Sequence, residues 1–569
     1  MSAHRAFPWI ASGGRNFGPD AELHSMALPR RALRATLAAS LLAGSAGVGA
    51  LHEAAARAAT LRVPSPTPKA QCGPGSDPET GTQGRVSTAD VTSGRAGRGY
   101  TCNMRTVGHY GRTGGFKVFR YVDTAGRECA FYDSTLLFPT APLLSPTQRL
   151  GVFVLDMSDP AHPQQTDALT TPAMLSPHES LSLNVKRGLL AADMGYPTFN
   201  PGFVDVYDVS KDCRHPVLQS SSPLGILGHE GNFSPDGNTF YVSSAGGGTL
   251  AAVDLTNPAL PKSLWTSFDY RIHGLNVSDD GNRVYAADLG NNPGLWIFDT
   301  SEIQRRVQNP KVRVVSHLTW PEVSIPQVPI PVTINGHPYL VEIDEYSRGT
   351  TTSPDAPVGA ARIIDIADET HPKVISNMRL EVNQPAERAG DQKNDPGATF
   401  PVQGYAGHYC SVPSRVDPGV VACSFIMSGM RMFDIRDPRQ PREIAYANFP
   451  TNATKPGEPA SSFVMCAPAF VPERGEVWFA DGNSGFYAMR VTNGVWPFTA
   501  ATAASGRPAP VLGQSSSRTQ PAAAPAAQAA PAHLAATGGS PPVVWAGALL
   551  ALGLGLRRLV PRRHRARPA

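Results

Sequence analysis

The sequence predicts an all-β fold: a seven-bladed β-propeller of four-stranded antiparallel blades, flanked by a signal peptide and a C-terminal spacer and anchor. Two observations predict it. A short apolar strand closed by an aspartate recurs as Val152–Asp156, Val204–Asp208, Leu250–Asp254, Gly294–Asp299, Arg362–Asp365 and Met430–Asp434, with Phe486–Arg490 as a seventh copy that ends in Arg. The closing residues are 52, 46, 45, 66, 69 and 56 positions apart, the period of a four-stranded blade with insertions and not of a helical repeat. One blade leaves an apolar face uncovered, and only neighbours stacked in a ring bury it, so the copies make one large domain. The expected organisation is an N-terminal extension and signal peptide (1–59), a flexible lead-in (60–101), the propeller (102–498), a spacer (499–533) and a sorting signal or transmembrane anchor (534–569).

At the start of the chain, Arg30, Arg31 and Arg34 precede the small, apolar run Ala35 to Leu51, and Ala56-Arg57-Ala58 offers an A-x-A cleavage site. This is the order of a secretory signal peptide, with translation starting at Met1 or, given the 25 mostly polar residues before it, at Met26. Residues 60–100 are rich in Gly, Ser, Thr and Pro without apolar periodicity, hence the flexible lead-in.

From there a grammar repeats: strand, Gly-centred turn, second strand ending in Asp or Ser, Gly-rich turn, and the aspartate-closed third strand. Blade four reads Gly274–Ser278, the turn Asp279-Asp280-Gly281, Arg283–Asp288, the turn Leu289–Pro293, Leu295–Asp299 and a fourth strand near Arg313–Ser316. Several copies then carry a paired-proline turn, as in Ser158–Pro163, Thr256–Pro261, Ala367–Pro372 and Arg436–Pro441. Proline cannot donate to the ladder, so these turns stop the third strand and launch the outer one. The two longest spacings place insertions at Pro321 to Pro331 and Tyr346 to Gly359 in blade five, and at Asn383 to Gln403 in blade six. The third-strand aspartates are turn residues in this reading, accepting from amides two residues on.

These units resemble the LVIVD repeat family, surface β-propellers of bacteria and archaea; the resemblance covers about residues 115–495 and implies a fold, not an activity. The tail has a resemblance of its own. Leu534-Ala-Ala-Thr537-Gly538, an apolar segment from Val543 to Leu556 and a cluster of arginines are similar to the LAxTG-type sorting signals of actinobacterial sortases. That implies cleavage between Thr537 and Gly538, with a sortase-like transpeptidase and the cell envelope as partners. A plain membrane anchor with a positive cytoplasmic flank is the alternative. Either way the chain is exported and its propeller is extracellular.

The formal net charge is +4 with 17% charged residues, and no basic stripe runs through the repeats, which argues against a nucleic-acid surface. Seven cysteines in an exported chain suggest up to three disulfides and one thiol left over. Cys410 and Cys423 flank the turn signal Asp417-Pro418-Gly419 and fall opposite each other on adjacent strands, so they are the pair the sequence supports.

A second register carries the candidate chemistry. Fifteen positions before the end of each second strand stand His178, His229, His273 and Cys466, and blade six offers His408. This position opens the strand that lines a propeller's central channel. Four imidazoles converging there could hold a divalent transition metal, with Glu179 and Glu230 as ligand or base and Cys466 as a soft ligand. The competing reading is structural: a histidine copied by duplication that bonds a neighbouring turn. Glu342, Asp344 and Glu345 form an acidic cluster beside a long loop and are read first as structural. No G-x-S-x-G, H-E-x-x-H, P-loop or C-x-x-C occurs. Two functions follow: a surface-tethered module binding a protein, glycan or small molecule, or a metal-dependent hydrolase or oxidoreductase built on the channel histidines.

Overall fold

The structure, a computed structural model, describes residues 63–135, 150–196, 198–349, 352–398, 403–450 and 461–497. It is a seven-bladed β-propeller. Blades one to six follow the chain, opening with the strands Val118–Val122, Ser182–Asn184, Glu230–Phe233, Ile272–Val277, Ile325–Ile334 and Gly407–Ser411. The opening strands of neighbouring blades run side by side, with parallel bridges between Glu179 and Glu230 and between Lys117 and Ala467.

The recurring apolar pentad packs both ways because its side chains alternate across the sheet. In Gly294–Asp299, Leu295 and Ile297 join Leu340 and Ile364 of blade five, while Phe298 joins Tyr241 and Leu250 of blade three. Each blade is covered on both faces, so its strands read as nearly continuous apolar runs. The closing aspartates are the turn residues expected of them. Asp156, Asp208, Asp254, Asp299, Asp365 and Asp434 each accept the amide two residues on, at 2.8–3.0 Å.

Ring closure uses the other end of the chain. Blade seven contributes Ala469–Val471, Glu476–Asp481 and Gly485–Val491, and its outer strand is Met104–Tyr110, placing Arg105 opposite Arg490. Arg490, where the other copies have aspartate, pairs instead with buried Glu476 at 2.7 Å.

The stretch expected to be a flexible lead-in is, from residue 63 on, packed onto blade six. Tyr100–Cys102 pairs with Arg442–Asn448 as a fifth strand. Buried Arg431 lies between Glu79 and Glu443, and Arg85 holds Asp395 at 2.6 Å. Composition hides this because much of the contact is ionic, with partners such as Asp395 and Glu443 far along the chain, and the apolar part, Val86, Ala96 and Tyr100 against Tyr446, is too sparse to show a period.

Blade five corrects a second expectation. Pro321 to Pro331 is not simply an inserted loop, since Ile325–Ile334 is the innermost strand and contains Pro326, Pro329 and Pro331. Within its sheet it pairs with His337–Glu345, and its other edge bridges Val416 at Thr333. A register shift between Pro326 and Val328 restores the parity that turns all three proline nitrogens away from His337–Glu345, so the ladder between these two strands loses no donor.

Three disulfides form, Cys72–Cys102, Cys129–Cys213 and the expected Cys410–Cys423, leaving Cys466 as the free thiol. The signal peptide, the spacer and the sorting signal with Thr537 and Gly538 lie outside the described residues. Among the described residues no helix is long and apolar enough to cross a membrane.

Candidate metal centre in the propeller channel

The innermost strands deliver the four histidines to one carboxylate. The Nε2 atoms of His178, His229, His273 and His408 lie 3.9, 3.2, 3.2 and 3.3 Å from the Glu179 oxygens. His273 and His408 sit within their strands, His229 immediately precedes Glu230–Phe233, and His178 stands in the turn before Ser182–Asn184. Blade five has no histidine at this height. It sends Glu345 from the end of its second strand, 3.6 Å from His273 Nε2 and 2.9 Å from His408 Nε2.

Two imidazoles are oriented by backbone. Nδ1 of His273 donates to the Pro326 carbonyl at 2.9 Å and Nδ1 of His408 to the Met465 carbonyl at 2.8 Å. A donor bond at Nδ1 commits Nε2 to face the carboxylates, the arrangement that orients metal-binding histidines. Although these distances are short, His408 Nε2, Glu345 Oε2 and Glu179 Oε2 are buried without an aligned hydrogen-bond partner.

The electrostatics follow from this crowding. Burial works to lower the pKa of His273, but Glu345 and Glu179 outweigh it and hold it at about 9. His408 is likewise held at about 9, with burial opposed by Glu179 and Glu345. Burial works to raise the Glu179 carboxyl, yet His273 and His178 keep it well below the usual range. A divalent ion competes with protons for the same nitrogens.

The site is most open at His229, whose side chain is 16% exposed against 0% for His408. Phe116 packs 4.3 Å from the His178 ring and Tyr196, partly exposed, 5.8 Å from it. Three non-glycine residues here, His178, Leu227 and Tyr346, hold left-handed backbone with φ of 51°, 52° and 49°, the strain that surrounding structure sustains at functional sites. Gly195 is required at the rim, because a Cβ there would meet the His178 Cβ and the Pro177 carbonyl oxygen at 2.5 Å.

Two sequence candidates fall outside the donor set. Glu230 is tied to buried Lys117 at 3.1 Å, so its carboxylate serves an ion pair one layer along the channel. Cys466 lies in the core of blade seven, its sulfur accepting the Ala480 amide at 3.2 Å. Burial pushes that thiol up to about 12, the opposite of a metal-ready thiolate. Asp193, at the end of the second strand of blade two, has no hydrogen-bond partner at either oxygen, and burial, then Glu230, raise its pKa well above the usual carboxylate value.

Glu345 is the ligand-grade residue that the sequence reading passed over. Its signal was the acidic density of Glu342, Asp344 and Glu345, but the first two serve Arg362 and mask the third. Beyond the Lys117–Glu230 pair a chamber of about 170 Å³ is lined by Asn184, Asn232, Tyr409 and Arg415. A larger surface groove of about 1420 Å³ runs between Pro64–Lys69 and the outer turn of blade six, and none of the clustered histidines lines it.

No protein-family model matches the chain, and no curated protein matches it. Solved structures similar to it include Kuenenia stuttgartiensis hydrazine synthase, at 12% identity over 67% of this chain and 97% of that one with a TM-score of 0.43. The Pseudomonas aeruginosa periplasmic gluconolactonase PpgL is similar at 13% identity, covering 60% and 92%, with a TM-score of 0.40. The Myceliophteria thermophila Cps50 (Swd1) β-propeller domain is similar at 11%, covering 68% and 100%, with a TM-score of 0.42.

Proposed function

We propose that this protein is an exported, LVIVD-like propeller that acts as a metal-dependent enzyme, with a metal centre formed by His178, His229, His273 and His408 together with Glu179 and Glu345. The observation that carries the reading is the convergence of four Nε2 atoms on the buried Glu179 carboxylate, within 3.9 Å. A donor set of imidazoles and carboxylates suits a first-row transition ion or zinc better than calcium or magnesium, which favour all-oxygen sites. When bound, such an ion supplies Lewis acidity and lowers the pKa of a coordinated water.

The chain's own residues set the rest. The Pro326 and Met465 carbonyls fix His273 and His408, Phe116 shields the cluster, and a small molecule reaches it past His229 and Tyr196. The LAxTG-like tail supports presentation at the cell envelope by a sortase-like transpeptidase, and replacing Thr537 should then release the protein from the wall fraction. The test of the enzyme reading is metal content. The purified full chain should carry stoichiometric first-row metal, and His273→Ala and His408→Ala should hold less of it while remaining folded. A folded parent protein without metal after incubation with Zn²⁺, Mn²⁺, Fe²⁺ and Cu²⁺ would leave the propeller as a binding module.

A further inference from the structure

Resting on that metal reading, we infer that the centre binds two ions bridged by Glu179, one enclosed and one exposed. The donor atoms divide into two sets, each mutually within 4.8 Å: His178, Glu179 and His229 form one, and Glu179, His273 and Glu345 the other. Only Glu179 belongs to both. Donors of a single ion lie no farther apart than about twice the 2.0–2.2 Å metal–ligand bond, so one ion does not reach all of these donors as they stand. Glu179 is placed to bridge, with Oε2 3.2 Å from Nε2 of both His229 and His273, one from each set. His408 stands beside the second set, its Nε2 2.9 Å from Glu345 Oε2 and 3.3 Å from Glu179 Oε1.

The two positions differ in exposure. At the enclosed one, His273, Glu345 and His408 are nearly inaccessible, both imidazoles are fixed through Nδ1, and Glu179 and Glu345 together balance a dication. At the exposed one, His178 and His229 meet the same bridging carboxylate, and the His229 side chain is 16% exposed against 3% for His273. The enclosed ion is the tight, resident one. An ion held by His178 and His229 would exchange more readily with solution, and it would supply Lewis acidity where solvent and a small molecule have access.

The experiment titrates the metal-stripped full chain with Zn²⁺ by calorimetry and with Co²⁺ by visible absorption, with bound metal counted by elemental analysis. Two equivalents are expected, separated by at least about tenfold in affinity, since the shell around a site controls solvent access to its ion. His229→Ala should retain the tighter equivalent and lose the weaker. His408→Ala and Glu345→Gln should weaken the tighter one, with near-ultraviolet circular dichroism confirming the fold. One equivalent in the parent chain, abolished by His229→Ala and His408→Ala alike, would overturn the two-ion arrangement and leave a single metal centre standing. No bound metal at all would overturn both.

Discussion

Asp133 offers a test of how burial sets charge inside the ring. It closes the second strand of blade one, is fully buried, and accepts the amides of Phe116 at 2.8 Å and Lys117 at 3.2 Å through Oδ1, while Oδ2 has no hydrogen-bond partner. Burial, against those two amides, pushes its pKa from 3.8 up to about 7. In the unfolded chain the group ionises near 3.8, so between about pH 4 and pH 7 the folded state holds a proton that the unfolded state has released. Stability therefore falls as pH rises through this window and is flat above it. At 1.36 kcal/mol per pKa unit, the loss between pH 5 and pH 8 is about 2–3 kcal/mol. Asp133→Asn keeps the Oδ1 acceptor and cannot ionise. Its amide nitrogen lacks a partner and costs about 1–3 kcal/mol at every pH, so the informative quantity is the difference between parent and variant at the two pH values. Measured by urea unfolding in the presence of a chelator, that difference should shift toward the variant by about 2–3 kcal/mol on going from pH 5 to pH 8. An equal difference at both pH values would refute the argument that burial controls this carboxyl.

Further outcomes follow from the packing. Arg431→Ala would leave Glu79 and Glu443 buried and uncompensated, costing about 3–5 kcal/mol, and limited proteolysis should then cut within residues 63–100 before the blades. Removing Cys129–Cys213, which spans 84 residues, should lower stability by more than removing Cys410–Cys423, which spans 13; loop entropy puts the difference at about 1–2 kcal/mol, readable as unequal shifts in the thermal midpoint. Arg362→Met should unfold the chain at markedly lower denaturant, because Glu342 and Asp344 lose their buried partner; an unchanged midpoint would contradict the role given to that pair.

Much of the fold was legible because a blade repeats its own grammar. The pentad of Gly294–Asp299 and its relatives marked each third strand, and the spacing of His178, His229 and His273 before their second-strand ends placed three imidazoles at one height. His408 came through despite its lengthened loop. What escaped notice shares one cause, contact between residues far apart in the chain. Met104–Tyr110 completes blade seven beside Gly485–Val491, and no local pattern marks an outer strand supplied from the other terminus. The stretch before it was read as flexible since ionic contacts such as Glu79 with Arg431 leave no apolar periodicity. Glu345 reaches the histidines from the end of a second strand, off the register that the histidines obey. Cys466 obeyed that register, yet its side chain turned into the core, where a small apolar thiol packs well.

The central claim is that the channel histidines and glutamates hold metal, and X-ray absorption at the edge of the bound ion tests it most directly. The first shell should contain only nitrogen and oxygen at about 2.0–2.2 Å, with the outer-shell scattering of imidazole rings, and His273→Ala should diminish that imidazole contribution. A first shell containing sulfur, or a spectrum of hydrated metal without imidazole scattering, would contradict the account.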